Sequence, residues 1–325
     1  MKLSREQQKL TEEFSAAARE GRVAHAYLLT GPAGCGKRTL ARAAAKIFMC
    51  AGGGCGRCDD CRKAEAGIHP DIITVRGKNE KTGAFPIDQI RDLRRDVHIL
   101  PNEGRRKIYI LENVEKMTPE AQDAFLKVLE EPPAYTVFLM TAAQEDKLLS
   151  TILSRVVRVR VPTADTGEAA RMLAAAGFDR RLAETALKLC GGSFGAAREI
   201  LESGTPEENV RTCEAFCDCL MRGTPYDLAA LVHKAATDRE ALGRFLYLQQ
   251  TYFRDILYLK KTGDAAALVF RDSVTAHEAD FRRMKEGGII AVIEKTEHLR
   301  RLCAAPISLL LLETRIVTLC EEEIF

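Results

Sequence analysis

The chain has 325 residues, 46% of them apolar, and a formal net charge of +2. That length allows two or three domains with sizeable cores, and the balanced charge excludes a protein that holds nucleic acid through bulk charge alone. The start, "MKLSREQQKL", is not a signal peptide, and the longest apolar run, around "CAAPISLLLL", falls far short of the ~20 residues a membrane span needs, so a soluble, cytoplasmic protein without a membrane partner is expected.

In chain order, "AHAYLLT" (24–30) is a β-forming run that leads into the glycine-rich "GPAGCGK". "KRTLARAAAKIFMC" (37–50) places Leu40, Ala43, Ala44, Ile47 and Phe48 at helical spacing. Strand, loop and helix in that order are the context a phosphate-binding loop requires. Further strands are predicted at 71–75, 106–111, 136–141 and 156–161, with helices at 87–100 and 118–133. Thr118 and Pro119 mark the start of the latter helix, and Pro132-Pro133 mark its end. The alternation predicts an α/β domain over 1–162, a parallel sheet with helices on both faces. After Pro162 the pattern is helical: a small unit over 163–207, then a longer run over 208–325 with apolar helices at 241–260 and 302–320. The turn-rich "VPTADTG" and "ESGTPEEN" mark the boundaries.

The loop "TGPAGCGKRT" carries Gly31, Gly34, Gly36 and Lys37 where phosphates would be cradled by backbone N–H groups and a lysine. The next residue normally gives a hydroxyl to Mg²⁺; here it is Arg38, a cation. Thr39 has a hydroxyl but stands about 100° further round the helix. The strand "RKIYIL" runs into Glu112-Asn113. Glu112 can serve a metal, whereas the Asn113 amide cannot take a proton from water, and losing a general base costs about 10²- to 10⁴-fold. Two positions therefore argue against hydrolysis, while ATP or ADP binding stays an open alternative.

"CAGGGCGRCDDC" spaces Cys50, Cys55, Cys58 and Cys61 as x4, x2, x2. Four thiolates so close can hold a tetrahedral Zn²⁺, a structural one because no coordination position is left open. A redox Cys-x2-Cys pair is the alternative, disfavoured by the third and fourth cysteines. Cys213, Cys217 and Cys219 read as core packing.

Several stretches together resemble the bacterial DNA polymerase III clamp-loader subunits, a branch of the AAA+ ATPases: "AHAYLLTGPAGCGK", the cysteine cluster after the first helix, "IDQIRDL", "GRRKIYILENVEKM", "FLKVLEEPP" and "TILSRV". The resemblance is strong over residues 20–200 and extends to the rest only in length and helical character. It implies an AAA+ P-loop domain with an inserted zinc module at 50–61, a helical lid at 163–207 and a helical collar at 208–325 that assembles subunits. The family's tau/gamma motors have Ser/Thr after the loop lysine, an Asp-Glu pair, and an Arg in the lid. This chain has Arg38, Glu112-Asn113 and, at the position of that Arg, Gly195; of the sensor on "FLMTAA" it keeps Thr141. These departures resemble the family's non-hydrolysing delta-prime branch.

"LSRV" is similar to the family's Ser-Arg-Cys motif, with Val156 in place of the cysteine. The match implies that Arg155, beside Ser154, is an arginine finger acting in trans on a neighbour's ATP. It also implies partners: tau/gamma and delta subunits and, through the complex, the sliding clamp and primed DNA. The basic residues Arg91, Arg94, Arg95, Arg105, Arg106 and Lys107 either track the DNA backbone or form local ion pairs with Asp88, Asp92 and Asp96. Lys127, Glu130 and Glu131 of "FLKVLEEPP" are expected to shape a subunit interface. The rival readings are a tau/gamma-like motor and a nucleotide-sensing AAA+ adaptor outside replication.

Overall fold

The computed structural model describes residues 3–79, 83–202, 206–265, 268–281, 284–303 and 307–324. The chain divides into two compact units, one of Met1–Gly177 with Gly192–Ala197, the other of Phe178–Gly191 with Arg198–Phe325.

The first unit runs α1 (Arg5–Arg19), β1 (Ala26–Thr30), α2 (Lys37–Met49), α3 (Asp59–Ala66), β2 (Ile72–Val75), α4 (Ile87–Val97), β3 (Lys107–Leu111), α5 (Pro119–Glu130), β4 (Thr136–Ala142), α6 (Ser150–Leu153), β5 (Val157–Arg160) and α7 (Thr166–Ala174). All five predicted strands form, within a residue or two of their expected limits. They make one parallel sheet in the order β2-β3-β4-β1-β5. Strand side chains alternate between faces, and the two cores follow that alternation. Leu28, Tyr109, Leu111, Phe138 and Met140 pack with Ile90, Leu93, Phe125 and Leu129 of α4 and α5. Tyr27, Leu29, Ile108, Ile110 and Leu139 pack with Phe14, Leu40, Ala44 and Phe48 of α1 and α2. Such two-sided burial is why these strands read as apolar runs.

Helix α1 was not evident from apolar periodicity, but its start carries a capping box: Gln7 N donates to Ser4 Oγ and Ser4 N to Gln7 Oε1, both at 3.3 Å. Helix α5 begins as its sequence dictates, with Thr118 Oγ1 accepting from Ala121 N and Pro119 in the first turn.

Among the described residues no strand follows Arg160. The second unit holds α8 (Arg180–Leu189), α10 (Pro206–Arg222), α11 (Pro225–Ala235), α12 (Arg239–Thr262), α13 (Arg271–Ala276), α14 (Glu278–Phe281), α15 (Glu286–Leu302) and α16 (Leu309–Ile324), while α9 (Phe194–Glu202) begins in the first unit and ends in the second. Phe216, Phe245, Tyr252 and Phe253 centre its core, with Cys213 and Cys217 buried among them, in keeping with the packing role expected of those thiols. The apolar helix expected at 302–320 is instead the end of α15 and, from Leu309, α16. No described helix is long and apolar enough to cross a membrane. The fold is a five-stranded parallel α/β sheet with helices on both faces and a cysteine module between α2 and β2, followed by helices.

Candidate functional site

The C-terminal ends of β1, β3 and β4 lie side by side in the sheet, where ligands of open α/β folds bind. The loop between β1 and α2 turns through Gly34 and Gly36, at φ 75° and 94°, a region that favours glycine. A Cβ on Gly34 would stand 2.2 Å from Ser193 Oγ. Residues 193–195 lie on this loop: Gly195 N donates to Gly34 O, and Ser193 Oγ to Ala33 O, each at 3.0 Å. Lys37 is buried, and its Nζ donates to Gly31 O and Pro32 O, both at 2.7 Å. Burial holds its pKa below the usual lysine range. A lysine reaching for phosphates would have to give up both carbonyls.

Glu112 is buried at the end of β3, and two arginines converge on it. Arg38 Nε stands 3.0 Å and Arg76 Nε 2.8 Å from Glu112 Oε2, and Arg76 Nη2 lies 3.4 Å from Oε1. Glu112, expected to be able to serve a metal, has its carboxylate paired with two of the chain's own cations. Arg38 is more than the lack of a hydroxyl; it stands as a fixed positive charge against the acid that would help hold Mg²⁺. Arg76 was missed. Its signal was strand register, because Val75 pairs with Leu111, which sets the next residues, Arg76 and Glu112, side by side. Asn113 is the one described non-glycine residue with positive φ, 61°, and its N–H donates to Thr141 Oγ1 at 2.9 Å. Thr141 is thus buried against the backbone of Asn113.

Beside the loop, Gln7, Cys35, Gly36, Thr39, Thr163, Met172 and Phe194 line a cavity of about 20 Å³. That holds about one water, against roughly 300–1,000 Å³ for small-molecule sites. Gln7 Nε2, in its wall, donates to Cys35 O at 2.7 Å and Pro162 O at 3.3 Å.

Arg155 and Ser154 follow α6. Arg155 Nη2 pairs with Glu130 Oε1 at 3.0 Å, and Nη1 donates to Thr151 O at 2.9 Å and Ser154 Oγ at 3.3 Å. Its side chain is 37% exposed. The guanidinium is held in place yet open to solvent, and none of these partners belongs to the phosphate loop.

At the other end of α2, Cys50 is the C-cap, while Cys58 caps α3 and Cys61 lies within its first turn. The four Sγ atoms all lie within 4.8 Å of one another, and Cys50 and Cys58 Sγ are 3.7 Å apart. Zn–S bonds of about 2.3 Å in a tetrahedron put sulfurs ~3.8 Å apart, so the donor set fits zinc. Gly54 and Gly56 turn the chain at φ 93° and 76°. Backbone N–H groups of Cys55, Gly56 and Cys61 point at the sulfurs of Cys50, Cys61 and Cys58, at 3.4, 3.3 and 3.5 Å. Without metal the sulfurs compete for charge. Burial pushes the Cys50 thiol up, but the N–H groups of Cys55 and Gly54 outweigh it and bring it to about 6. Burial and the neighbouring sulfurs push Cys61 up to about 12.

The basic residues are largely spent within the fold. Arg91 pairs with Asp88 at 3.0 Å and Arg95 with Asp92 at 3.6 Å. Arg105 Nη2 donates to Cys50 O at 3.0 Å, Arg106 Nη1 to Phe48 O at 2.9 Å, and buried Lys107 pairs with Asp96 at 3.1 Å. These contacts favour the local ion-pair alternative for this stretch.

Residues 6–165 match the family described as "DNA polymerase III, delta subunit". The chain is 39% identical over 197 residues to the DNA polymerase III subunit delta' of Pseudomonas aeruginosa, covering 59% of this chain and 60% of that protein. It is 36% identical to the Escherichia coli subunit tau, over 45% of this chain and 23% of that one. Against the Mycobacterium bovis subunit gamma/tau it is 29% identical, over 86% of this chain and 52% of the relative. The chain thus spans less than two thirds of each of these relatives' own lengths. The phosphate loop, the cysteine module and the Ser-Arg pair all fall within 6–165. Over this α/β unit the chain is similar to bacterial DNA polymerase III clamp-loader subunits.

Proposed function

We propose that the chain is a delta-prime-like stator of the clamp loader, one that does not hydrolyse ATP. The observation that carries this is Glu112, held by Arg38 and Arg76 where a motor would hold Mg²⁺. The self-bonded Lys37, the segment 193–195 on Gly34 and the small cavity behind Gln7 support it. A motor reading would require Arg38 to leave a buried carboxylate.

In this reading the chain joins tau/gamma and delta subunits and gives Arg155 to a neighbour's ATP. A planar, permanent cation stabilises charge on the transferring phosphoryl group. The ion pair with Glu130 keeps Arg155 in position until a more concentrated anion, a triphosphate, competes for it. Ser154 steadies the guanidinium. The helical segments 163–207 and 208–325 act as lid and collar, the zinc module is structural, and the assembled complex places the sliding clamp on primed DNA.

The test is reconstitution with tau/gamma, delta, clamp and primed DNA. Arg155→Ala should leave assembly intact and slow turnover at the one neighbouring site by about 10³- to 10⁵-fold. Unchanged turnover at that site would remove the finger and leave a scaffold.

A further inference from the structure

Asp71 is a carboxylate with no exposed surface, one residue before β2. Its Oδ1 accepts from Asn102 N at 2.6 Å and Asn102 Nδ2 at 3.1 Å, and its Oδ2 from Glu103 N at 3.0 Å and Gly104 N at 2.7 Å. One buried side chain thus folds the turn that precedes β3. From that turn, contacts run to the cysteine module on two sides. On one side Gly104 lies against α2, where a Cβ would come within 2.6 Å of Met49 Sδ. Arg105 then reaches the end of the same helix, donating from Nη2 to Cys50 O at 3.0 Å and Phe48 O at 3.4 Å. These are last-turn carbonyls, which have no partner inside the helix. On the other side Glu103 pairs with Lys63 at 2.6 Å, in the helix that carries Cys61. His69, next to Asp71 and buried, takes Asp71 N on its Nδ1 at 3.1 Å and turns Nε2 towards Asp60 of the same helix at 3.5 Å.

We propose that Asp71 and Arg105 are positioning residues of the metal centre: Asp71 shapes the 102–104 turn, and through Arg105 that turn fixes the main chain at Cys50. The inference rests on reading the four cysteines as a zinc site. Neither residue bonds a sulfur. Their effect is to keep Cys50 where a dissociated sulfur re-forms its bond to the metal, so that a chelator seldom finds the site half open. Partners of metal ligands commonly matter about 10- to 100-fold in metal affinity.

The test begins with elemental analysis of the wild-type chain. About one zinc per chain is expected, and absence of stoichiometric zinc would overturn the site itself and the brace with it. Zinc transfer to a chromogenic chelator is then timed for wild type, Asp71→Asn, Arg105→Met and Arg105→Lys. Arg22→Ala, which touches only the surface pair with Glu20, serves as control. Asp71→Asn and Arg105→Met should release zinc at least about tenfold faster, Arg105→Lys less so, and the control at the wild-type rate. The Co²⁺-substituted chain should show an altered ligand-field band in the first two variants only. Wild-type release and spectrum in a folded Arg105→Met would overturn the proposal, even if Asp71→Asn fails to fold.

Discussion

Helix α2 has a glycine-rich loop at each end, and the two loops have been resolved in opposite ways. At its N-terminus the phosphate loop has been satisfied from within: Lys37 bonds loop carbonyls, and Arg38 with Arg76 neutralises Glu112. At its C-terminus four sulfurs converge, and backbone N–H groups face them. Both loops gather ligands for a cation. In one the cation is a side chain of the chain itself; the other still asks for a metal from outside. A glycine-rich loop is therefore not a ligand site by its shape; the unpaired charge left inside it decides.

That contrast can be broken at either end. The largest effect is expected at the cysteine module, where structural zinc in small domains is worth roughly 10–16 kcal/mol of binding free energy. Cys61→Ser should abolish stoichiometric zinc and expose the backbone of 50–66 to hydrogen exchange, while the sheet stays protected. Exchange unchanged from wild type would mean the module folds without metal. A smaller loss is expected at the phosphate loop. Arg38→Ala with Arg76→Ala strands a buried carboxylate and should cost on the order of 3 kcal/mol in urea unfolding. Adding Glu112→Gln should restore much of it. Either single arginine variant should cost about 1 kcal/mol or less, because both guanidiniums are solvent-screened and each leaves the other in place. A double variant as stable as wild type would show that Glu112 does not need its arginines.

The smallest expected effect concerns pH. Burial pushes the Asp71 carboxyl up, but the N–H groups of Asn102, Glu103 and Gly104 outweigh it and hold it below the usual aspartate range. A lowered carboxylate pKa stabilises the fold above about 4, its unfolded value, and that stabilisation fades as pH falls through the folded value. Melting of metal-free wild type and Asp71→Asn should therefore differ most near neutrality, and the gap should shrink as pH falls below about 4. A gap that is constant with pH would assign the loss to packing rather than charge.

The sheet was legible because its three central strands, β1, β3 and β4, are buried on both faces and read as apolar runs, and both cores follow the alternation. The cysteine module was legible because its ligands are close in sequence. What stayed hidden depends on contacts between distant residues. Arg76 is 36 positions from Glu112 and meets it through strand register. Gln7 reaches the phosphate loop from α1, a helix whose capping box was the overlooked signal. Asp71 serves a turn some thirty residues on. Arg38 was noticed as a residue unable to bind metal, but its partner shows what it does instead. The break between α15 and α16 falls within the apolar run that was read as one helix.

The central claim is that this chain's own nucleotide site is closed by its own side chains. Calorimetric titration of the isolated, zinc-loaded chain with Mg·ATP, alongside a phosphate-release assay, tests it most directly. The account expects no saturable heat and no turnover above buffer. Stoichiometric binding with turnover would contradict it, and would mean that Arg38 leaves Glu112 when nucleotide arrives.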